Sequence, residues 1–147
     1  PEQKRIFGMI LALANVEFVR FGSIHRNSYV ESARLLDDTL ALRVLPHVHL
    51  AGQITGVEGY IESTAIGLLV ARFVDAKQRG AAIVPPPAET AFGALYHHVR
   101  EEREGGKYQP SNINYGLFPP LPRRHKKRDR RPLYAERARD ALSPWLG

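Results

Sequence analysis

Three glycines, Gly52, Gly56 and Gly59, fall within eight residues of the segment AGQITGVEGYIES at positions 51–63. An alternating stretch, HVHLA at 47–51, reads as a strand before it, and a helical pattern opens after it. Glycines at a strand-to-helix turn let the backbone approach a ligand closely and leave unpaired amides at the helix start, where the dipole favours an anion. Residues Gly52, Gln53, Ile54, Thr55, Gly56, Val57, Glu58 and Gly59 are therefore the first candidate binding stretch. A tight turn before a helix needs no ligand, so spacing alone leaves both readings open. Glu58 and Glu62 lie where a carboxylate would either cap the helix or meet a ligand's amide-like edge.

A second group with chemical potential is His25, Arg26, Asn27 and Tyr29 in the loop FGSIHRNSY, where an imidazole and a guanidinium stand side by side. His25 has an equally simple reading as a loop histidine bonded to backbone. The third is the run RRHKKRDRR at 123–131, in which Arg123, Arg124, Lys126, Lys127, Arg128, Arg130 and Arg131 make seven cations in nine positions. Residues 1–119 carry 12 basic and 12 acidic side chains, and residues 120–147 carry 9 and 3, so the whole net charge of +6 belongs to the tail. Such asymmetry suits a polyanion, because each cation set against a phosphate releases counterions; a solvated helix face is the plainer alternative. His47 and His49 alternate with apolar residues and read as strand positions, and His97 and His98 read as surface positions of a helix. No pair of ligands has zinc spacing.

The elements that must position these groups follow from periodicity. Residues 2–13 read as a short amphipathic helix, 16–21 as a half-buried strand, and 39–44 as another, with Pro46 opening the next segment. From 57 to about 77, Ile61, Ala65, Leu68, Leu69, Phe73 and Val74 form a broad apolar helical face that Gln78, Arg79 and Gly80 end. Along this helix Ser63, Gly67 and Ala71 make a strip of small residues suited to close packing against a sheet. Pro85, Pro86 and Pro87 form a stiff connector, and residues 90–104 resume a helix. Residues 107–122 read as an ordered loop pinned by Tyr108, Ile113, Tyr115, Leu117 and Phe118. A last helix runs from about 126 or 132 to 142.

Length allows one domain or one piece of one. The sequence opens at Pro1 with no initiator methionine, no signal-peptide pattern and no apolar run of membrane-spanning length, and it contains no cysteine. A cytoplasmic piece of a larger chain is the expectation, without disulfides, thiolate metal sites or a cysteine nucleophile in these residues.

The segment at 51–63, followed by Gly67-Leu68-Leu69, resembles the signature of the folate- and FAD-dependent tRNA (uracil-5-)-methyltransferases, relatives of the glucose-inhibited division protein A flavoproteins. The resemblance extends to residues 21–29, to NINYGLFPPL at 112–121, and to Lys126-Lys127-Arg128 and Ala135-Glu136-Arg137-Ala138. Leu11, Val70-Ala71 and Tyr115 depart from the pattern. A related family of flavoproteins that modify the tRNA wobble uridine shares the Ala-Gly-Gln opening but differs across 55–59 and continues into a long helical domain.

The resemblance implies an α/β fold: the carboxy-terminal portion of a Rossmann-like, glutathione-reductase-type FAD-binding domain with a helical tail. It implies residues 1–45 as the end of an insertion or substrate domain with return strands, 46–105 as part of the FAD-binding domain, and 106–147 as an aromatic loop with a basic helix. Methylenetetrahydrofolate would supply carbon, FAD would carry and reduce it, NAD(P)H would regenerate the flavin, and tRNA would accept. Gly52 and Gln53 would lie on the flavin, and the backbone of 56–59 would complete its edge. The spacing differs from the dinucleotide fingerprint, which points to the isoalloxazine edge in place of the pyrophosphate. His25, Arg26, Asn27 and Tyr29 would face folate or substrate, and the basic run would meet tRNA phosphates. The amino-terminal FAD fingerprint and the thiolate that uracil C5 methylation requires have no counterpart in these residues. A stand-alone basic RNA-binding module is the alternative of a different class.

Overall fold

A computed structural model describes residues 2–22, 27–101, 108–123 and 125–147. The helices are α1 (Glu2–Gly8), α2 (Ser32–Leu35), α3 (Tyr60–Gln78), α4 (Ala91–Arg100) and α5 (Arg130–Leu146). Strands β1 (Ala41–Leu42) and β2 (Leu45–His49) pair antiparallel in register Ala41 with His49 and Leu42 with Leu45, with an irregularity between Ala41 and Leu42. Single 3-10 turns occupy Leu11–Leu13 and Gly52–Thr55. Mixed helix and strand is thus the architecture, and among the described residues the only sheet is this two-stranded one.

The core forms where α3 and α4 pack on the α2–β1 turn. Ile66, Leu69 and Phe73, spaced three and four residues apart on one face of α3, meet Leu95, Tyr96 and Val99 of α4 together with Leu36, Leu40 and Val57. Phe73 and Tyr96 meet edge to face with centroids 5.8 Å apart. The small strip of α3 is not its closest contact: a Cβ on Gly67 would meet nothing within 4 Å and Ala71 is exposed. Of the strip, Ser63 lies beside Gly52, at ordinary contact distance from where a Cβ on that glycine would stand. The larger apolar residues Ile66, Leu69 and Phe73 took the buried side because burial rewards apolar area over smallness.

Two polar devices set the core's borders. The Asp37 carboxylate accepts from the Thr39 amide (2.8 Å), the Thr39 hydroxyl (2.7 Å) and the Ala41 amide (3.0 Å), closing a turn in which buried Leu40 takes φ +61°. On α4, Arg100 donates to the Leu36 carbonyl and to Asp38, both at 2.5 Å, tying the helix end to the same turn. At the other end of α4, the Thr90 hydroxyl accepts from the Gly93 amide (2.9 Å) and donates to the Pro87 carbonyl (2.7 Å). A Cβ on Gly93 would stand 1.9 Å from the Pro87 carbonyl oxygen, so glycine is what permits the proline connector to lie on the helix.

Several sequence expectations change. Residues 16–21 form no strand: Phe18 stacks on Phe21 at 5.0 Å and tilts against Phe7 at 5.8 Å, so aromatic clustering overrode the alternation. The amino-terminal helix stops at Gly8, and Gln3 closes the segment by exchanging hydrogen bonds with the Gly22 backbone at 2.8 and 3.0 Å. The strand expected at 39–44 shrinks to Ala41–Leu42, and the one expected at 47–51 begins at Leu45, so Pro46 is its second residue. The last helix continues past 142 through Pro144. Trp145 fixes that end by donating to the Val84 carbonyl (3.0 Å), while Arg72 donates to the Trp145 carbonyl (2.9 Å) and lies over its ring at 4.4 Å. No helix among the described residues is long and apolar enough to cross a membrane.

Two measurements check this frame. Gly93→Ala should cost about 1–3 kcal/mol through backbone overlap, lowering the melting temperature by several degrees. Burial alone would raise the Asp37 pKa, but the Thr39 and Ala41 hydrogen bonds and the charge of Lys77 together bring it below the usual carboxylate value. A carboxylate with a depressed folded pKa stabilises above its unfolded pKa of about 3.9, and that contribution is lost as pH falls through the lower folded value. Denaturant titrations across pH 2–6 should therefore show a flatter acid limb for Asp37→Asn than for the parent.

Candidate functional site

The glycine turn starts where β2 ends. Ala51 is extended, Gly52–Thr55 make the 3-10 turn, Gly56 closes it at φ +92°, and Gly59 enters α3 at φ +90°. The Thr55 hydroxyl donates back to the Gly52 carbonyl at 2.6 Å. A buried hinge then holds the whole turn: the Thr55 carbonyl accepts from both the Ser32 hydroxyl (2.9 Å) and the Tyr108 hydroxyl (2.6 Å). Tyr108 fills the space a side chain at Gly56 would need, with its hydroxyl 2.1 Å and its ring 2.3 Å from an added Cβ, and its ring stacks on His98 with centroids 5.5 Å apart. His98 is thereby buried, not on the helix surface as its spacing suggested, because α4 turns it toward Tyr108.

The hinge brings three distant motifs together. From the upstream loop, Val30 donates its amide to the Ile54 carbonyl (2.9 Å) and Tyr29 donates its hydroxyl to the Tyr108 carbonyl (3.2 Å). From downstream, Ser111 runs parallel to Val57, accepting from the Glu58 amide (3.0 Å) and donating to the Gly56 carbonyl (3.2 Å). Asn112 donates to the Glu58 carbonyl (3.0 Å), and the Ile113 amide donates to the Glu62 carboxylate (3.1 Å).

These bonds divide the eight candidate residues in two. Thr55, Gly56 and Val57 are buried, and the Glu58 amide is already paired with Ser111. Gly52 is partly open, and Gln53, Ile54 and Gly59 are exposed. The amides of Gly52 and Gln53 precede the first internal bond of the 3-10 turn and so keep donor capacity for a ligand. At the start of α3, Glu62 occupies the first turn with its carboxylate turned to the Ile113 amide, and it already supplies the negative charge the dipole favours. Glu62 makes no side-chain cap to the helix-start amides; its carboxylate ties the downstream loop to α3 through Ile113.

Of the upstream group, Asn27 and Tyr29 are exposed, the latter aimed by its hydroxyl at the Tyr108 backbone; His25 and Arg26 lie outside the described residues. In the basic run, Arg123, Lys126, Lys127, Arg128, Arg130 and Arg131 are all exposed, and Arg124 lies outside the described residues. Among the described residues no group of three His, Asp or Glu side chains could hold a metal ion. Ser32, Tyr108 and Ser111 were not singled out as site residues by sequence; Tyr108 alone gave a signal, as an isolated aromatic after two glycines.

The shared acceptor makes a specific prediction. Ser32→Ala or Tyr108→Phe alone should cost about 1 kcal/mol, since the other hydroxyl still satisfies the buried carbonyl. The double variant should lose more than the sum, by about 1 kcal/mol, because the carbonyl is then unsatisfied. Chemical denaturation of the four proteins measures the excess; strict additivity would refute the shared hinge.

Comparison with known proteins bears on what this hinge serves. The family model described as glucose inhibited division protein A matches residues 1–82. The chain is 54% identical to the methylenetetrahydrofolate--tRNA-(uracil-5-)-methyltransferase TrmFO of Paramagnetospirillum magneticum, aligned over 99% of this chain and 34% of that protein. It is 51% identical to the protein of the same name from Syntrophus aciditrophicus, over 98% of this chain and 32% of that one. A third, from Anaeromyxobacter dehalogenans, is 53% identical over 99% and 33%. The chain thus spans about a third of the length of the curated relatives it matches. With the glycine turn, its upstream loop and β2 all inside the matched region, this chain belongs to the glucose inhibited division protein A family.

Proposed function

We propose that the chain is the carboxy-terminal part of a cytoplasmic tRNA (uracil-5-)-methyltransferase that uses methylenetetrahydrofolate, FAD and NAD(P)H to form 5-methyluridine in the T loop. The observation that carries the reading is the convergence of three separated motifs on one glycine turn, in a chain about half identical to relatives bearing that name. Residues 46–105 would belong to a Rossmann-like FAD-binding domain, 1–45 to the end of an insertion or substrate domain, and 106–147 to the aromatic loop and basic tail.

When bound, reduced flavin would supply the electrons that bring a folate-derived carbon to the methyl level. The chain's own contribution is positional. Gly52 and Gln53 would offer amides to the ring edge, with Ile54 and Gly59 beside them. Thr55, Gly56, Val57 and Glu58 would act from behind, through the Ser32–Tyr108 hinge and the Ser111 ladder, to keep that edge from yielding. Tyr29 and Asn27, with His25 and Arg26 nearby in sequence, would face the folate and uracil side. The thiolate that adds across the pyrimidine double bond has no source among these 147 residues, so a complementary polypeptide segment must provide it.

Incubated with T-arm RNA, methylenetetrahydrofolate, FAD and NADPH, the chain alone should give no 5-methyluridine by nucleoside mass spectrometry. Joined to the amino-terminal two-thirds of the Paramagnetospirillum relative, it should restore T-loop methylation. Turnover by the chain alone, or modification confined to the wobble uridine by the hybrid, would overturn the reading.

A further inference from the structure

Beyond a general basic tail, the carboxy-terminal third contains a shaped cleft of about 270 Å3 lined by Pro120, Leu121, Arg123, His125, Arg130 and Tyr134. One side of it is cationic: two guanidiniums and an imidazole, with no carboxylate among the lining residues. Neither Arg123 nor Arg130 forms an ion pair among the described residues, and Asp129, beside Arg130 in sequence, pairs with Arg128 at 3.4 Å. The other side is apolar and held by hydrogen bonds and ring contacts. Arg137 donates to the carbonyls of Pro119 (2.7 Å) and Pro120 (3.0 Å), fixing the proline wall, and its guanidinium lies 5.1 Å over the Tyr134 ring. Tyr134 is buried and held by Tyr115 at 5.2 Å and Phe118 at 5.7 Å.

We propose that this cleft binds a single nucleotide unit of an RNA backbone, its phosphate between Arg123, His125 and Arg130 and its sugar or base against Pro120, Leu121 and Tyr134. The inference rests on the tRNA reading above and sharpens it: Lys126, Lys127 and Arg128, which do not line the cleft, are left with diffuse attraction only. The volume sits just under the range of about 300–1,000 Å3 that encloses drug-sized ligands, suited to one nucleotide and too small for a folded RNA element. A guanidinium pair gives a phosphate the planar, forked donors that fix its position, whereas lysines act as point charges. Contacts of this kind set the register of the RNA without reading its sequence.

Two variants of equal charge separate the cleft from the tail: Arg123→Gln with Arg130→Gln, and Lys126→Gln with Lys127→Gln. T-arm RNA binding to the chain is followed by fluorescence anisotropy over a salt series, with circular dichroism confirming unchanged folding. The cleft pair should weaken binding about tenfold and lower the salt slope by about one; the lysine pair should weaken it less than about threefold. Inorganic phosphate titrated into the wild-type chain should shift the His125 ring and Arg123 and Arg130 side-chain resonances, with equal ionic strength of chloride leaving them in place. Equal loss in both pairs overturns the cleft and leaves a diffuse basic tail. Absence of RNA binding by the wild type together with absence of a phosphate shift overturns the cleft and the tail contact alike. A phosphate shift without RNA binding identifies a free-phosphate site and overturns the RNA assignment.

Discussion

One backbone carbonyl, that of Thr55, organises the part of this molecule that could meet a ligand. A buried carbonyl left unsatisfied costs more than most single contacts return, and here two hydroxyls, one from before it in the chain and one from after, answer it. Because Ser32 comes from α2 and Tyr108 from the loop after α4, the carbonyl ties both to the glycine turn. Without those two donors the carbonyl would be buried unsatisfied and the turn would lose its side-chain ties to α2 and to the loop after α4.

The same logic explains how the turn's glycines differ. Gly56 is required on two counts, a left-handed backbone and a tyrosine ring where a side chain would go. Gly59 shares the left-handed backbone, and a side chain there would meet the Glu62 carboxylate that the Ile113 amide holds. Gly93, outside the turn, is fixed by backbone alone, through the Pro87 carbonyl. Spacing in a sequence does not separate these three causes; surroundings do.

What could be read in advance was local. The end of α3 at Arg79 and Gly80, the Thr90 start of α4 and the loop anchored by Tyr108 and Phe118 all follow from nearest-neighbour chemistry, and the resemblance of residues 51–63 to a flavoprotein signature led to the right family. What could not be read was whatever depended on a partner far along the chain. Alternation at 16–21 could not reveal that Phe18 would turn to Phe7 and stack on Phe21, nor could helical spacing reveal that His98 would meet Tyr108. Glu62 gave two readings by position, and neither foresaw that its carboxylate would bond the Ile113 amide far along the chain.

The distances along the chain across the Thr55 hinge carry one more consequence, in time. Its two donors sit 23 residues before and 53 residues after the carbonyl they share. Contacts of such separation close late, since loop entropy must be met before they return anything. During synthesis the glycine turn would emerge with only its upstream partner in reach and wait for the segment beyond α4. Assembly of the glycine turn is thereby postponed until the chain that supports it has been made.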